Sequence, residues 1–197
     1  MHTSTMTSIL KVMILVFCGT LICQGQDNYE REFRIKKSQF PDIPLDSSLA
    51  GHNIKRKRFY KEVDSLGTNY ILKFKKDRLH YALSFDKDGT LKKTGFRVNE
   101  VDIPDETFLA MENHLSASFN KFSIKRIYQQ YSIHDGNDQS ILTSTFQNLL
   151  LPSIIYKLVV IGKKDGIKNE YDFWFNAEGH LINKRIALPM NHDHILY

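Results

Sequence analysis

Two stretches, Tyr81-Ala-Leu-Ser-Phe85-Asp-Lys-Asp-Gly89-Thr-Leu91 and Tyr171-Asp-Phe-Trp-Phe175-Asn-Ala-Glu-Gly179-His-Leu181, carry tyrosine, phenylalanine, glycine and leucine at one spacing, ninety positions apart. In each, the tyrosine, the residue two on and the phenylalanine share one face of a period-two strand. The strand breaks into a polar turn that ends at glycine, which tolerates the positive φ of a tight return. The reading is a duplicated β-hairpin, and hence a duplicated domain.

Working outward, residues 53–63, 69–76, 79–86 and 90–98 read as four strands, with turns at Ser65-Leu-Gly67, Lys76-Asp77 and Asp88-Gly89. Tyr70, Leu72 and Phe74 face one way, as do Tyr81, Leu83 and Phe85, while Lys73, Lys75, His80 and Ser84 face the other. A greasy face and a mixed face are what an antiparallel sheet covered on one side requires. The pattern returns at 123–133, 154–162, 169–176 and 180–188. Ile54-Lys-Arg56 is echoed by Ile124-Lys-Arg126, and Tyr70 by Tyr156. Between the halves, Pro104, Asp105 and Glu106 suit a helix's first turn, and Phe108, Met111, Leu115, Phe119 and Phe122 form a stripe at three- and four-residue steps. A shorter helical segment is expected over Leu45–Gly51, after Pro41 and Pro44. The second half carries an insertion at about 134–152: a polar loop from His134 to Gln139, then a helical turn or two over Ile141–Leu151, ended by Pro152.

The leader and the composition bound the rest. Lys11 precedes the apolar run Val12–Cys23, which is too short to span a bilayer, and small residues stand before a cut at Gln26. Residues 1–25 therefore read as a secretory signal peptide, with no transmembrane segment once it is removed. Both cysteines lie inside it, so the remaining chain has no disulfide, thiolate metal site or cysteine nucleophile. The net charge of +5 falls by one with Lys11 and stays positive, which suits acidic glycans, lipid head groups or an acidic protein. Lys55-Arg-Lys-Arg58 resembles a nucleic-acid patch, but export and the alternation around it argue for a strand.

Chemistry-bearing motifs are missing. The chain has no Gly-x-Ser-x-Gly, no phosphate-cradling glycine loop and no His-Glu-x-x-His. His192-Asp193-His194 offers two imidazoles and a carboxylate, yet in an extended tail Asp193 points away from the histidines. Asp86, Asp88 and Gly89 lack the downstream glutamate of a calcium loop and read as turn formers. No cofactor is expected.

The helix from Pro104 and the Tyr81–Leu91 and Tyr171–Leu181 hairpins, twice over behind a signal peptide, resemble the PepSY-like family. Its domains look like the repeat unit of the secreted β-lactamase inhibitor protein. The likeness covers about 40–188, and the insertion after His134 departs from it. The resemblance implies an α+β fold of two tandem helix plus four-strand antiparallel meander repeats, side by side or joined into one eight-stranded sheet, with helices on one face. The chain then divides into an extension (26–40), repeat 1 (41–98), repeat 2 (99–188) and a tail (189–197). It further implies a non-catalytic binding or inhibitory module, in the periplasm or at the outer surface.

The expected site is the open sheet face, with Trp174, Lys73, Lys75 and His80 in contact with a protein or an acidic envelope component. Trp174 lies between Phe173 and Phe175 and so faces away from the helices, near Val159 or Ile161. An exposed tryptophan there is a good anchor. The alternative for this residue is that the 141–151 insertion folds back over it. Alternative functions are inhibition of a peptidase or other hydrolase through the 134–140 loop, and metal- or stress-related binding through the histidine tail.

Overall fold

Alternating apolar and polar residues leave each strand with one face that must be covered, and the chain solves this with a single meander. The computed structural model describes residues 31–43, 49, 51–64, 67–133 and 138–187. The signal peptide, most of the Leu45–Gly51 segment and the 189–197 tail lie outside these residues. Among the described residues one antiparallel sheet runs β1 (Arg31–Ile35), β2 (Lys55–Asp64), β3 (Gly67–Lys76), β4 (Leu79–Phe85), β5 (Leu91–Val98), β6 (Lys121–Ser132), β7 (Ile155–Lys164), β8 (Ile167–Phe175) and β9 (Leu181–Ile186), in chain order. The expected sheet had eight strands. The ninth is β1, which comes from the N-terminal extension and pairs with β2 through Phe33–Lys61 and Ile35–Phe59.

Among the described residues two α-helices with defined bounds lie on the greasy face: α1 (Asp105–Ser118) and α2 (Asp138–Phe146). Pro104 caps α1 with extended backbone, and Asp105 and Glu106 fill its first turn, where the helix dipole favours negative charge. Met111 and Leu115 are buried, but the expected stripe runs too far: Phe119 is already extended and Phe122 belongs to β6. Phe119 instead lies over Gly162, where an added Cβ would stand 2.5 Å from its ring. His114 and Phe119 meet Phe173 edge-on at 6.1 and 5.9 Å, so α1 covers β8.

The insertion helix α2 turns to the same greasy face, not to Trp174. Phe146 packs edge-on against Tyr81 at 5.3 Å and Phe74 at 6.4 Å, and Leu142 and Thr145 are buried. Although α2 is inserted between β6 and β7, it roofs strands of the first half. It ends at Phe146, six residues before Pro152, and Asn148 just beyond it, with a φ of 54°, takes the left-handed conformation that stops a helix and that asparagine tolerates. Phe40, five residues after the end of β1, covers the remaining corner against Phe59, Tyr70 and Phe85.

A polar seam docks the end of α2. Tyr131 donates its hydroxyl to the Leu149 carbonyl (2.8 Å), Gln129 Nε2 donates to the Tyr131 oxygen (2.6 Å) and to Asn148 Oδ1 (3.2 Å), and Thr94 and Thr145 share a hydroxyl hydrogen bond. Burial pushes the Tyr131 hydroxyl up to about 12 and raises Tyr81 and Tyr156 as well. For an acid whose folded-state value is raised, stability is complete below the unfolded value, about 10, and is lost as pH climbs through the folded one. The unfolding free energy from urea titration should therefore hold to about pH 9.5 and then fall by up to ~1.4 kcal/mol per pH unit for Tyr131 alone, lowering the urea midpoint with it. A midpoint unchanged at about pH 11.5 would overturn this account of the seam.

Candidate functional site

The face away from the helices carries the site, and its register follows from the turns. Asp165 (φ 51°) and Gly166 (φ 83°) are the two central residues of the β7–β8 hairpin, the positive-φ pair that two-residue turns require. That turn sets Lys157 opposite Trp174 and Val159 opposite Asp172. On the other side Asp172 pairs with Arg185 and Trp174 with Asn183.

Trp174 is half-buried, and cations brace it on both sides. Lys157 Nζ lies 5.1 Å from the ring centroid and the Arg185 guanidinium 5.0 Å, both within cation–π reach. One buried carboxylate holds both cations. Asp172 Oδ2 accepts from Arg185 Nε (3.1 Å) and Nη2 (2.8 Å) and lies 3.1 Å from Lys157 Nζ. Next along the face, Arg126 lies 3.7 Å from Glu170. The indole is thus fixed before any partner arrives, so little side-chain entropy is left to lose on binding.

The other expected residues share this face but not this cluster. Lys75 pairs with His80 across β3–β4. Lys73 lies 2.5 and 2.8 Å from the two carboxylate oxygens of Glu32 on β1 and 4.5 Å over the Tyr60 ring, so its charge is already matched. From β3 to β8 the separation is roughly 24 Å at ordinary strand spacing. Lys157, Asp172 and Arg185 were not foreseen. Reading Asp165-Gly166 as the two central turn residues was the available signal, because it places Lys157 rather than Val159 or Ile161 opposite the indole.

Among the described residues no group of three histidine, cysteine or acidic side chains is placed to hold a metal, and no helix is long and apolar enough to cross a membrane. The histidine tail and residues 134–137 of the expected inhibitory loop lie outside the described residues, and Asp138 already belongs to α2.

Two solved structures are similar in fold. A crystal structure of a DUF2874 family protein from Bacteroides ovatus matches with a TM-score of 0.50 at 13% identity, covering 78% of this chain and 94% of that one. A crystal structure of a BLIP-like protein from Bacteroides fragilis matches with a TM-score of 0.49 at 14% identity, covering 78% of this chain and 92% of that one. No family model matches the chain, and no curated protein matches it in sequence. At this identity the first likeness is one of fold alone: an α+β architecture with an antiparallel sheet.

Proposed function

We propose that this is an exported, non-catalytic binding protein of PepSY-like build, with two related helix-plus-meander units, that docks a partner protein on its open sheet face. The observation that carries the reading is the braced indole. Trp174, held between Lys157 and Arg185 by the buried Asp172, is an anchor of the type that dominates protein interfaces. Release outside the cytoplasm is the setting that the leader suggests.

Trp174 is the only tryptophan, so its emission reports on this site without mutation. Capture of partners from an envelope extract by the mature chain, followed by titration of a purified partner, tests the reading. Binding should shift the emission, and Trp174→Ala should weaken affinity about thirtyfold or more, the 2 kcal/mol of an interface hot spot. A variant that keeps every captured partner at unchanged affinity would eliminate the reading. Asp172→Asn is expected to weaken binding less, because it loosens the two braces while leaving the ring.

A further inference from the structure

Cross-strand pairing orders the open face into transverse rows, and the end of the face opposite Trp174 is crowded with cations. Lys55 pairs with Lys75, and Lys75 with His80. The register that sets Tyr81 opposite Phe96 brings Arg97 abreast of His80. In the neighbouring row Arg58 pairs with Lys73, and the row then drops to the small residues Ala82 and Gly95. Adjacent strands lie about 4.8 Å apart, well within the ~8 Å screening length of physiological salt.

Like charges directly opposite one another on antiparallel strands destabilise the sheet. Here two such pairs, Lys55–Lys75 and Arg58–Lys73, stand in adjacent rows. Of the carboxylates on the face, Glu170 is held by Arg126 and Asp172 by Lys157 and Arg185, Glu32 reaches Lys73, and the buried Glu62 opposite Glu32 has a partner of its own. Among the described residues Arg58, Lys75 and Arg97 have no ion pair. Glu32 compensates only the Lys73 half of the Arg58–Lys73 pair, and a local rule left broken at Arg58 and Lys75 points to a charge supplied from outside.

We propose that the β2–β5 end of the open face receives an acidic, extended segment of the partner polypeptide, with carboxylates at alternate positions. The inference rests on the docking reading above and names the chemistry of the partner's contact. Same-face residues two apart in a strand, such as Lys73 and Lys75, are separated by about 6.8 Å. Same-side residues of an extended peptide lying along β3 repeat at that interval too. One acidic residue then meets the Arg58–Lys73 row and the next meets the Lys55–Lys75–His80 row. A membrane surface fits less well, because among the described residues the exposed large apolar side chains nearest these cations, Phe33 and Val63, alternate onto the other side of the sheet from Arg58 and Lys73.

The test uses the mature chain and a labelled peptide of about twelve residues alternating glutamate and serine, read by fluorescence anisotropy. The peptide should bind, and its affinity should fall as salt rises from about 50 to about 300 mM. Arg58→Glu with Lys75→Glu should reduce binding at least about tenfold. Trp174→Ala, far along the face, should change it less than about twofold. The same double substitution sets opposite charges across the strands, so its thermal midpoint should hold or rise. A lowered midpoint, no peptide binding at low salt, or reversal-sensitive binding only to heparin or phosphatidylserine vesicles would each overturn the proposal. If Trp174→Ala loses its captured partners while the peptide never binds, the acidic segment is wrong and docking stands. If the peptide binds as stated while Trp174→Ala keeps every partner, the docking reading is wrong and the cationic site stands.

Discussion

Phe175→Ala is expected to destabilise the protein by about 3–5 kcal/mol, a large part of the 5–15 kcal/mol that holds a typical domain together. Phe175 is 0% exposed and faces Tyr156 on β7 and Leu181 on β9. It stacks on Phe173 at 6.0 Å and takes the His114 edge at 5.7 Å. The cavity left by truncation closes poorly, because β8 is hydrogen-bonded on both sides and cannot sink towards α1. Phe85→Ala should lose a similar amount, since Phe85 is also 0% exposed and carries the Phe40 edge at 5.8 Å. Exposed Ile186→Ala on the edge strand serves as control and should stay within about 0.5 kcal/mol. Urea unfolding followed by circular dichroism measures all three. A Phe175→Ala loss below about 1.5 kcal/mol would mean that the core does not close over β8 as described.

Gly179→Ala should cost about 3 kcal/mol or more, and the series that proves it includes Gly166→Ala. Both glycines have a φ of 83°, so both substitutions pay the roughly 1–2 kcal/mol of placing an L side chain in left-handed backbone. Only one of them also meets a wall. A Cβ on Gly166 finds open space, whereas on Gly179 it would stand 2.5 Å from the Thr107 carbonyl oxygen and 2.9 Å from Ala110 Cβ. The turn is locked to α1 there, with the Thr107 hydroxyl donating to the Ala177 carbonyl at 2.9 Å. Gly89 has the same problem in the other stretch, 2.3 Å from the Asp42 carbonyl oxygen at a φ of 79°. The difference between the Gly179 and Gly166 variants therefore isolates the close approach of helix and turn. Equal losses would show that α1 does not press on this turn.

These residues show how far the chain could be read before folding. Period-two alternation located β2 to β9 to within a few residues, and Phe-x-x-x-Gly marked both turns. Each of these turns is closed by its own aspartate or asparagine: Asp86 Oδ1 accepts from the Thr90 amide at 2.9 Å and Asn176 Oδ1 from the His180 amide at 2.8 Å. The register shifts at the matching place in both, between Ser84 and Phe85 and between Trp174 and Phe175. Such signals are local, and local chemistry suffices to produce them. Less was legible where two distant segments had to meet. β1 reads as a polar extension because its pairing is with β2, more than twenty residues on. The short polar–apolar mix of α2 says that it packs, but not on which face.

The amino-acid order alone determined the strands, the turns, the buried aromatic side and the outward direction of Trp174, since each depends on residues that lie two to four positions apart. Tertiary structure decided what stands around that indole, because Lys157 and Arg185 arrive from different strands and are held by a single carboxylate at Asp172. It also decided that α2 would roof the first half of the sheet and leave the basic face bare. The physical reason is that alternation tells a strand which side to bury, while the identity of the covering element depends on which apolar surfaces remain unpaired once the whole meander has formed.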